Sequence, residues 1–523
     1  MRDSSQIRRA AGLLDRRRHL IAFCFLALAL GFLQQGPGFN QTSHYALTRA
    51  IAHGSTSIDN ELPHLGQLST GDVTIRNGHT YSNKAPGLAF VSVPAFFVAE
   101  SAGVATTGDP TTMLWAIGLW SIVLPTLLLA LLVRSRAERL APGTGTAVAV
   151  VLGLGTLLLP FSGLLFSHPF SAFLVFAAFA LLWCERDAEP RLALVAAGGA
   201  LAGYAVTTEY PNVVGAVLLG VYACARPGLL RRALAYGAGV VAGVLPLLVF
   251  DTLAFGSPFD LSYRSRPLQG GAGANEAGLG RGLFGIALPH PSAAFDVLFS
   301  TRGLFTLAPV LVAGVVGLVL LFRARRAEAL VVGGLSVSYL VWDSAFSNPF
   351  GGLDPGPRYL ITILPFLAVP LALALRAFPL PTLALAGVSI ANMTMISATG
   401  THPARDGQWV ERAAAGTFKP TPLALIGITG WYTIIVFYVA CAAAAGFAVA
   451  TLRPIPIDAR RLLVTTLVLA AWGGFALVAP RADGQFEGGD YVVVVCLLAL
   501  AAAVTAALRL RPRLSLSSAA RPG

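Results

Sequence analysis

Apolar runs long enough to cross a lipid bilayer recur along this chain of 523 residues, from His19 to Leu508. A membrane-spanning helix needs roughly 20 mostly apolar residues. Only 12% of the residues are charged and 55% are apolar, whereas soluble globular proteins average about 25% charged residues. These features predict a polytopic membrane protein of helical structure.

The apolar runs give the following candidate spans: 19–34, 112–133, 145–166, 169–185, 191–207, 210–226, 231–251, 303–323, 328–342, 359–376, 380–398, 431–452, 461–480 and 489–508. A further apolar segment at 88–104 is ambiguous. The run that begins at His19 is not followed by a small-residue cleavage site, so we expect a retained first span rather than a signal peptide.

Basic residues are distributed unevenly between the loops. Short loops and the two termini hold twenty-five of the thirty-seven basic residues, and they alternate with longer loops rich in Gly, Pro, His, Asp and Asn. By the positive-inside rule the basic loops face the cytoplasm. The net charge of +12 therefore reflects topology, not nucleic-acid binding. The alternation requires one net crossing over 88–133, which favours a re-entrant or interfacial helix at 88–104.

The interiors of the candidate spans are nearly free of charge. Transporters usually bury ionisable residues in the middle of their spans, whereas here these residues gather in the outer loops. That distribution favours an enzyme at the outer membrane surface. The five cysteines lie in or at the ends of apolar runs with no close pair, so neither a disulfide framework nor a metal site is predicted. We expect no cofactor, although the sequence leaves a divalent metal open.

The first outer loop, 35–87, offers two carboxylates as general bases. Its segment "TSHYALTRAIAHG" has helical spacing and predicts a short helix along the membrane surface. Asp59 and Asp72 follow in turn-like surroundings, "TSIDN" and "STGDV". Most loop aspartates cap a helix or close a turn, and this is the alternative for each of them.

Lys84, in "GHTYSNKAPGLAF", is one of only two lysines in the chain. A flexible ammonium just ahead of an apolar segment is suited to a lipid phosphate, because it is a compact charge with three donors. The alternative is a lysine that snorkels from a span end. The other lysine, Lys419, lies in what reads as a plain loop.

The first span, the acidic outer loop and "NKAPG" at the head of an apolar segment together resemble the GT-C class of glycosyltransferases. The chain is most similar to the branch with the protein O-mannosyltransferases and the lipid A aminoarabinose transferases. In that branch a Lys-Pro-Pro pattern enters an apolar helix, and its lysine contacts the phosphate of a polyprenyl-phosphate sugar. Lys84 stands in that lysine's place. The resemblance covers about the first 110 residues and continues more faintly through the later spans.

The resemblance implies an all-α polytopic membrane protein, a GT-C-like bundle of about 13–15 transmembrane helices. Its large first extracytoplasmic loop carries short interfacial helices. The implied organisation is a basic cytoplasmic N-terminus (1–18), a catalytic membrane module (19–430), additional spans (431–508) and a basic cytoplasmic tail (509–523). The outer loops of the module are 35–87, 252–302, 343–358 and 399–430.

One position departs from the class, whose members usually carry an acidic residue just after the first span. Asn40 and Gln41 occupy that place here, and an amide cannot accept a proton as a base would. Either the base has moved, to Asp59 first or Asp72 second, or the protein has lost activity.

Arg358 heads a later span in "GPRYL", a segment that also resembles GT-C-like proteins. Its guanidinium is suited to hold the donor phosphate bidentately, and the alternative is a rim arginine paired with Asp354 or Asp343. Other candidates for the cavity or substrate are polar residues of the outer loops and outer span ends: Asn40, Gln41, His44, His79, Tyr81, His168, Glu209, Tyr263 and Asp354.

The expected function is transfer of a hexosyl or pentosyl group from a polyprenyl-phosphate donor to an acceptor on the extracytoplasmic face of a bacterial cell membrane. Asp59 or Asp72 serves as base, and Lys84 and Arg358 bind the phosphate. The acceptor can be a protein, a glycan or a lipid. The alternatives are a transporter or flippase of lipid-linked sugars, and an inactive homologue that assists envelope assembly.

Overall fold

The computed structural model describes residues 4–34, 36, 38–65, 68–104, 110–262, 286–346, 348–352, 354–400 and 408–479. Helices dominate these residues, in agreement with the predicted fold class. In chain order the α-helices are α1 Ser4–Gly31, α2 Phe39–Ala52, α3 Gly87–Ser101, α4 Pro110–Leu140, α5 Gly145–Leu154, α6 Leu158–Ser162, α7 Ser167–Arg186, α8 Leu192–Thr208, α9 Val213–Cys224, α10 Leu229–Phe255, α11 Pro291–Phe299, α12 Leu304–Leu307, α13 Val310–Ala324, α14 Arg326–Ala345, α15 Leu364–Ala377, α16 Pro379–Thr399, α17 Gln408–Ala414, α18 Ile434–Val449 and α19 Ala459–Val478. A 3-10 helix, Arg358–Ile363, leads into α15.

Seven of the described helical segments are long and apolar enough to cross a membrane. An eighth crossing is possible where Pro291–Leu307 and Val310–Ala324 form one path with a 95° bend. Four shorter apolar helices, α3, α5, α8 and the segment Tyr210–Cys224, pack among them. The prediction of a polytopic membrane protein is therefore confirmed, and the predicted span 489–508 lies outside the described residues.

Two candidate spans are divided in the structure, and the ambiguous segment 88–104 forms a short helix. This helix, α3, has 15 residues, fewer than the roughly 20 that a crossing needs, which suits the re-entrant or interfacial helix favoured by the charge alternation. The predicted span 145–166 is divided into α5 and α6 at Gly155, which ends the first helix. The predicted span 303–323 is interrupted before α13, where Pro309 has no N–H to continue the backbone hydrogen bonds.

Helix α10 shows how these helices meet both protein and lipid. Along one face, Gly239 and Gly243 approach α8 so closely that a β-carbon on either would collide with its backbone. Small residues permit such contacts in membrane bundles. On the other face, Val241, Leu245 and Val249 are about half exposed or more. Exposed apolar side chains at helical spacing are suited to contact with lipid.

The first outer loop contains a feature that the sequence reasoning missed. Besides α2, it forms a two-stranded antiparallel sheet, β1 Val73–Arg76 and β2 His79–Ser82. Asn77 and Gly78 make the turn with φ values of 51° and 81°, the left-handed conformations that a tight hairpin turn requires. Asn-Gly is a strong hairpin signal, but only helices were predicted for this loop.

Candidate active site

The hairpin brings Lys84 and Asp72 together. Its register pairs Val73 with Ser82, so the residues just outside the two strands lie side by side. The Asn83 N–H donates to the Asp72 carbonyl at 3.2 Å, and Lys84 Nζ lies 2.9 Å from Asp72 Oδ2. The ion pair therefore follows directly from the strand register.

Serine hydroxyls fix the base of the hairpin against α2. Ser43 Oγ donates to the Asp72 carbonyl at 2.6 Å and lies 2.7 Å from Ser82 Oγ. Ser82 Oγ in turn accepts from the Lys84 N–H at 3.2 Å. Because these hydroxyls are buried, each contact also satisfies a polar group that would otherwise be costly to bury.

Gly87 sets the entry of the lysine segment into α3. A β-carbon at Gly87 would lie 2.7 Å from the Thr207 carbonyl oxygen and 2.6 Å from Thr208 Oγ1, both too close for any side chain. Its own carbonyl accepts from Tyr204 Oη at 2.9 Å. The glycine of "NKAPG" therefore lets the start of α3 pack against the end of α8, which brings Lys84 towards Glu209.

His44 lies on α2 beside the ion pair and is 1% exposed. Neither ring nitrogen has a hydrogen-bond partner in the structure. Burial lowers the pKa of His44 to about 3, and the charges of Lys84 and Arg358 act in the same direction while Asp72 opposes them. His44 is therefore neutral at physiological pH, and both cations lie within electrostatic range of its ring.

Arg358 lies in a pocket formed by aromatic rings. Its guanidinium carbon lies 5.4 Å from the Phe166 ring centroid and 5.3 Å from that of Tyr359. It donates to the Asp354 carboxylate. Gly351, with φ of +73°, makes room for this side chain, because a β-carbon there would collide with the guanidinium. The rim pairing with Asp354 considered from the sequence is thus present, yet the guanidinium is largely buried.

His168 and Glu209 lie within electrostatic range of both cations. His168 Nδ1 is 3.5 Å from Glu209 Oε1, and Ser167 Oγ donates to the same carboxylate oxygen. The His168 ring packs edge-on against Tyr359 at 5.4 Å. Electrostatic interactions from Lys84 and Arg358 reach both His168 and Glu209.

The structure gathers most of the predicted site residues into one largely buried cluster, which we call the ionic cluster: His44, Asp72, Lys84, His168, Glu209, Asp354 and Arg358. The cluster combines cations with carboxylates and neutral imidazole. Such a set can bind an anion and accept a proton in the same space.

The remaining predicted residues lie apart from the ionic cluster. Asp59 accepts from the Thr80 N–H at 2.7 Å and lies 2.8 Å from His79 Nδ1 on the outer side of the hairpin. Burial acts to raise the pKa of Asp59, but the hydrogen bonds from His79 and Thr80 lower it below its usual value. Asp59 therefore anchors the hairpin, which is the turn-type role considered above. Tyr81 packs on Phe255 at 5.0 Å between ring centroids.

Asn40 and Gln41 lie in the first turn of α2. Gln41 Nε2 donates to the Gly36 carbonyl at 3.1 Å, and Asn40 Oδ1 is buried with no hydrogen-bond partner. Neither residue interacts with Lys84 through any described contact. Tyr263 lies outside the described residues.

Sequence reasoning gave no site role to two further buried residues. The Asp343 side chain is fully buried at the end of α14 and interacts electrostatically with Arg358. No described residue forms a hydrogen bond with its carboxylate. Asn83, next to Lys84, is also fully buried with an unpartnered amide. An acid at the end of an apolar run, in "VWDSAF", was the available signal for Asp343. Among the described residues, no group of three or more His, Cys, Asp or Glu side chains is arranged to hold a metal ion.

Comparisons with known proteins give structural likenesses only. No family model matches the chain, and no curated protein matches its sequence. ArnT from Cupriavidus metallidurans in the apo state is 16% identical over 96% of this chain and 77% of its own, with a TM-score of 0.49. The same protein bound to undecaprenyl phosphate gives 16% identity, coverage of 95% and 78%, and a TM-score of 0.46.

The oligosaccharyltransferase of Archaeoglobus fulgidus in the apo form is 13% identical over 90% of this chain and 60% of its own, with a TM-score of 0.43. These solved structures are GT-C glycosyltransferases, the class that the lysine segment resembles. The TM-scores of these structures lie below 0.5.

Proposed function

We propose that this protein is a membrane glycosyltransferase that moves a sugar from a polyprenyl-phosphate donor to an acceptor on the extracytoplasmic face. The observation that carries the proposal is the Lys84–Asp72 ion pair at 2.9 Å, enclosed in a cluster that also contains Arg358. A phosphate-binding cation and a proton-accepting carboxylate are the two groups that such a transfer needs.

The two cations are suited to the leaving group. When the sugar departs, negative charge develops on the lipid phosphate, and fixed cations in a largely buried site stabilise that charge without a metal. Lys84 contributes an ammonium with three donors, and Arg358 contributes a planar fork for two phosphate oxygens. Because Lys84 lies at the start of the apolar helix α3, a polyprenyl chain can extend along that helix into the membrane.

Asp72 is the base in this proposal. The acceptor oxygen attacks the anomeric carbon, the bond from that carbon to the phosphate oxygen breaks with its electron pair, and the acceptor proton passes to the Asp72 carboxylate. One displacement of this kind inverts the anomeric configuration. Asp59, the first candidate for the base from the sequence, is not the base in this proposal. Its carboxylate is hydrogen-bonded to His79 and Thr80, away from both cations.

The positions of the ionic groups along α7 support an outer location for the site. His168 lies at the start of this helix and Glu185 near its end, separated by most of the length of a 20-residue helix of about 30 Å. Glu185 binds Arg232 through two contacts of 2.8 Å, among the arginine-rich loops that the positive-inside rule assigns to the cytoplasm. The ionic cluster then faces the opposite side.

The experiment is conversion of labelled donor by the purified protein in nanodiscs. A panel of polyprenyl-phosphate hexoses and pentoses is offered together with envelope extract as a source of acceptors. We expect one donor to be consumed and its label to appear in an acceptor fraction. In sealed proteoliposomes, movement of intact donor across the bilayer without consumption would favour the flippase alternative. Binding of the donor without turnover would favour the inactive homologue.

A further inference from the structure

Lys419, the second lysine of the chain, lies in a loop that packs against the end of α16. Lys419 follows α17, and its backbone N–H donates to the Ala398 carbonyl at the end of α16 at 2.7 Å. Arg412, on α17, approaches the same place. A β-carbon on Gly400 would collide with Arg412 Nη1 and would lie 3.5 Å from Lys419 Cε. We call these two residues the Lys419–Arg412 pair.

The Lys419–Arg412 pair has no counter-charge among the residues that the structure describes. In the part of the chain that the structure describes, neither side chain has an ion pair or hydrogen bond with a carboxylate. Burial lowers the pKa of Lys419 to about 8, and the charge of Arg412 acts in the same direction. Two adjacent cations repel each other, and the repulsion grows as water is removed from around them. An anion between them would relieve that cost.

Two uncharged polar side chains on segments next to Lys419 also lack hydrogen-bond partners among the described residues. The Gln34 N–H donates to the Pro420 carbonyl at 3.0 Å, which ties the end of the first span to the lysine segment. The side chains of Gln34 and Thr421 are 3% and 2% exposed, and no described residue forms a hydrogen bond with Gln34 Nε2 or Thr421 Oγ1. Buried donors without partners are costly, and anion oxygens are the acceptors that they need.

This location is distinct from the ionic cluster but close to it. A β-carbon on Gly36 would lie 3.7 Å from Lys419 Nζ, and the Gly36 carbonyl accepts from Gln41. Gln41 is one turn before His44 on α2, so this helix links the two locations.

We infer that Lys419 and Arg412, with Gln34 and Thr421, form a second anion-binding site that takes a phosphate group. Its chemistry is a compact ammonium and a guanidinium fork on either side of Gly400, supplemented by an amide and a hydroxyl donor. The phosphate can belong to a lipid headgroup or to a soluble phosphate. Binding there does not depend on glycosyl transfer.

The small number of lysines makes a direct test possible. In the Lys84→Gln variant, reductive methylation with ¹³C-formaldehyde labels only one lysine side chain, Lys419, besides the terminal amine. The variant is placed in nanodiscs of phosphatidylcholine and titrated with inorganic phosphate, with chloride at matched ionic strength as the reference. A second series replaces part of the phosphatidylcholine with phosphatidic acid and contains no free phosphate.

We expect a saturable shift of the Lys419 methyl signal in at least one series. A shift with inorganic phosphate identifies a site open to soluble phosphate, and a shift only with phosphatidic acid identifies a lipid headgroup site. Adding Arg412→Gln should weaken the apparent affinity at least about 10-fold, the effect of losing one charge-assisted contact. Arg412→Lys should retain most of it, and Arg453→Gln, at an exposed arginine far along the chain, should have no effect.

The absence of a saturable shift in both series would overturn the inference. A shift that Arg412→Gln leaves unchanged would do the same. Because the readout is binding at Lys419, these outcomes are independent of whether the protein transfers a sugar.

Discussion

Lys84 Nζ lies 2.9 Å from Asp72 Oδ2 because the β1–β2 hairpin returns the chain to the point where it began. The backbone of the hairpin therefore determines the position of this ion pair. The strand register, the Asn77–Gly78 turn and the backbone hydrogen bond from Asn83 to Asp72 all place these side chains together. Any change that shifts the register by one residue would separate them.

The two cations should bind a polyprenyl phosphate that carries no sugar. Replacing either by Gln removes a charge-assisted contact worth about 1.5–3 kcal/mol, which corresponds to an affinity loss of roughly 10- to 100-fold. Titration of the purified variants Lys84→Gln and Arg358→Gln with polyprenyl phosphate in nanodiscs measures this loss. Lys84→Arg keeps the charge and should retain more affinity than Lys84→Gln. If the wild type and both Gln variants bind polyprenyl phosphate with equal affinity, then Lys84 and Arg358 do not bind its phosphate.

Gly87→Ala should disturb the site without touching a charged group. The added methyl meets the Thr207 carbonyl and Thr208 Oγ1, so α3 must move away from α8, at a cost of about 1–3 kcal/mol for overpacking. We expect a lower midpoint of thermal unfolding and weaker binding of polyprenyl phosphate. Gly237→Ala is the matched control, because a β-carbon there meets nothing within 4 Å. If both variants unfold at the wild-type temperature, the close packing of the lysine segment is not as described.

His44 should make the protein sensitive to acid. Its pKa is about 3 in the folded protein and about 6.5 when unfolded. Between these values the unfolded state binds the proton more readily, so stability falls as the pH falls below about 6.5. At pH 5 the expected cost is about 2 kcal/mol relative to pH 7. Thermal unfolding of His44→Gln at pH 7 and pH 5 should show a smaller loss than wild type.

The control for this prediction is His64→Gln, at an exposed histidine in the same loop. Its loss of stability between pH 7 and pH 5 should match that of the wild type. If His44→Gln shows the same acid sensitivity as wild type, then His44 is not held neutral by burial.

Much of this arrangement could be predicted from the sequence, because charge is scarce in a membrane protein. Basic and acidic residues at the outer ends of apolar runs are therefore strong candidates for a binding site. Because charged residues are scarce within the spans, they also mark the approximate bounds of most spans. Seven of the residues proposed from the sequence lie in the ionic cluster, including His168 from the start of α7 and Glu209 from the residue after α8. Lys84 was identified by composition and by its position ahead of an apolar segment.

The choice between the two aspartates could not be predicted. Asp59 and Asp72 both lie in polar, turn-like segments, and only the pairing of β1 with β2 decides which one faces Lys84. The Asn-Gly pair indicates a hairpin, but the helical spacing of the preceding segment predicts only helices for this loop. The surroundings of Lys419 could not be predicted for another reason. Its contacts with Gly36 and Gly400 join segments far apart in the sequence, which no local pattern reports.

The most direct test compares two aspartates of the same loop. Asp72→Asn and Asp59→Asn make the same chemical change, one inside the ionic cluster and one on the outer side of the hairpin. With the labelled donor that the wild type consumes, initial rates are measured at saturating donor for both variants. Loss of a general base should reduce the rate for Asp72→Asn by roughly 10²- to 10⁴-fold, while Asp59→Asn should stay near the wild-type rate. A wild-type rate for Asp72→Asn, or the large loss in Asp59→Asn instead, would contradict the assignment of the base.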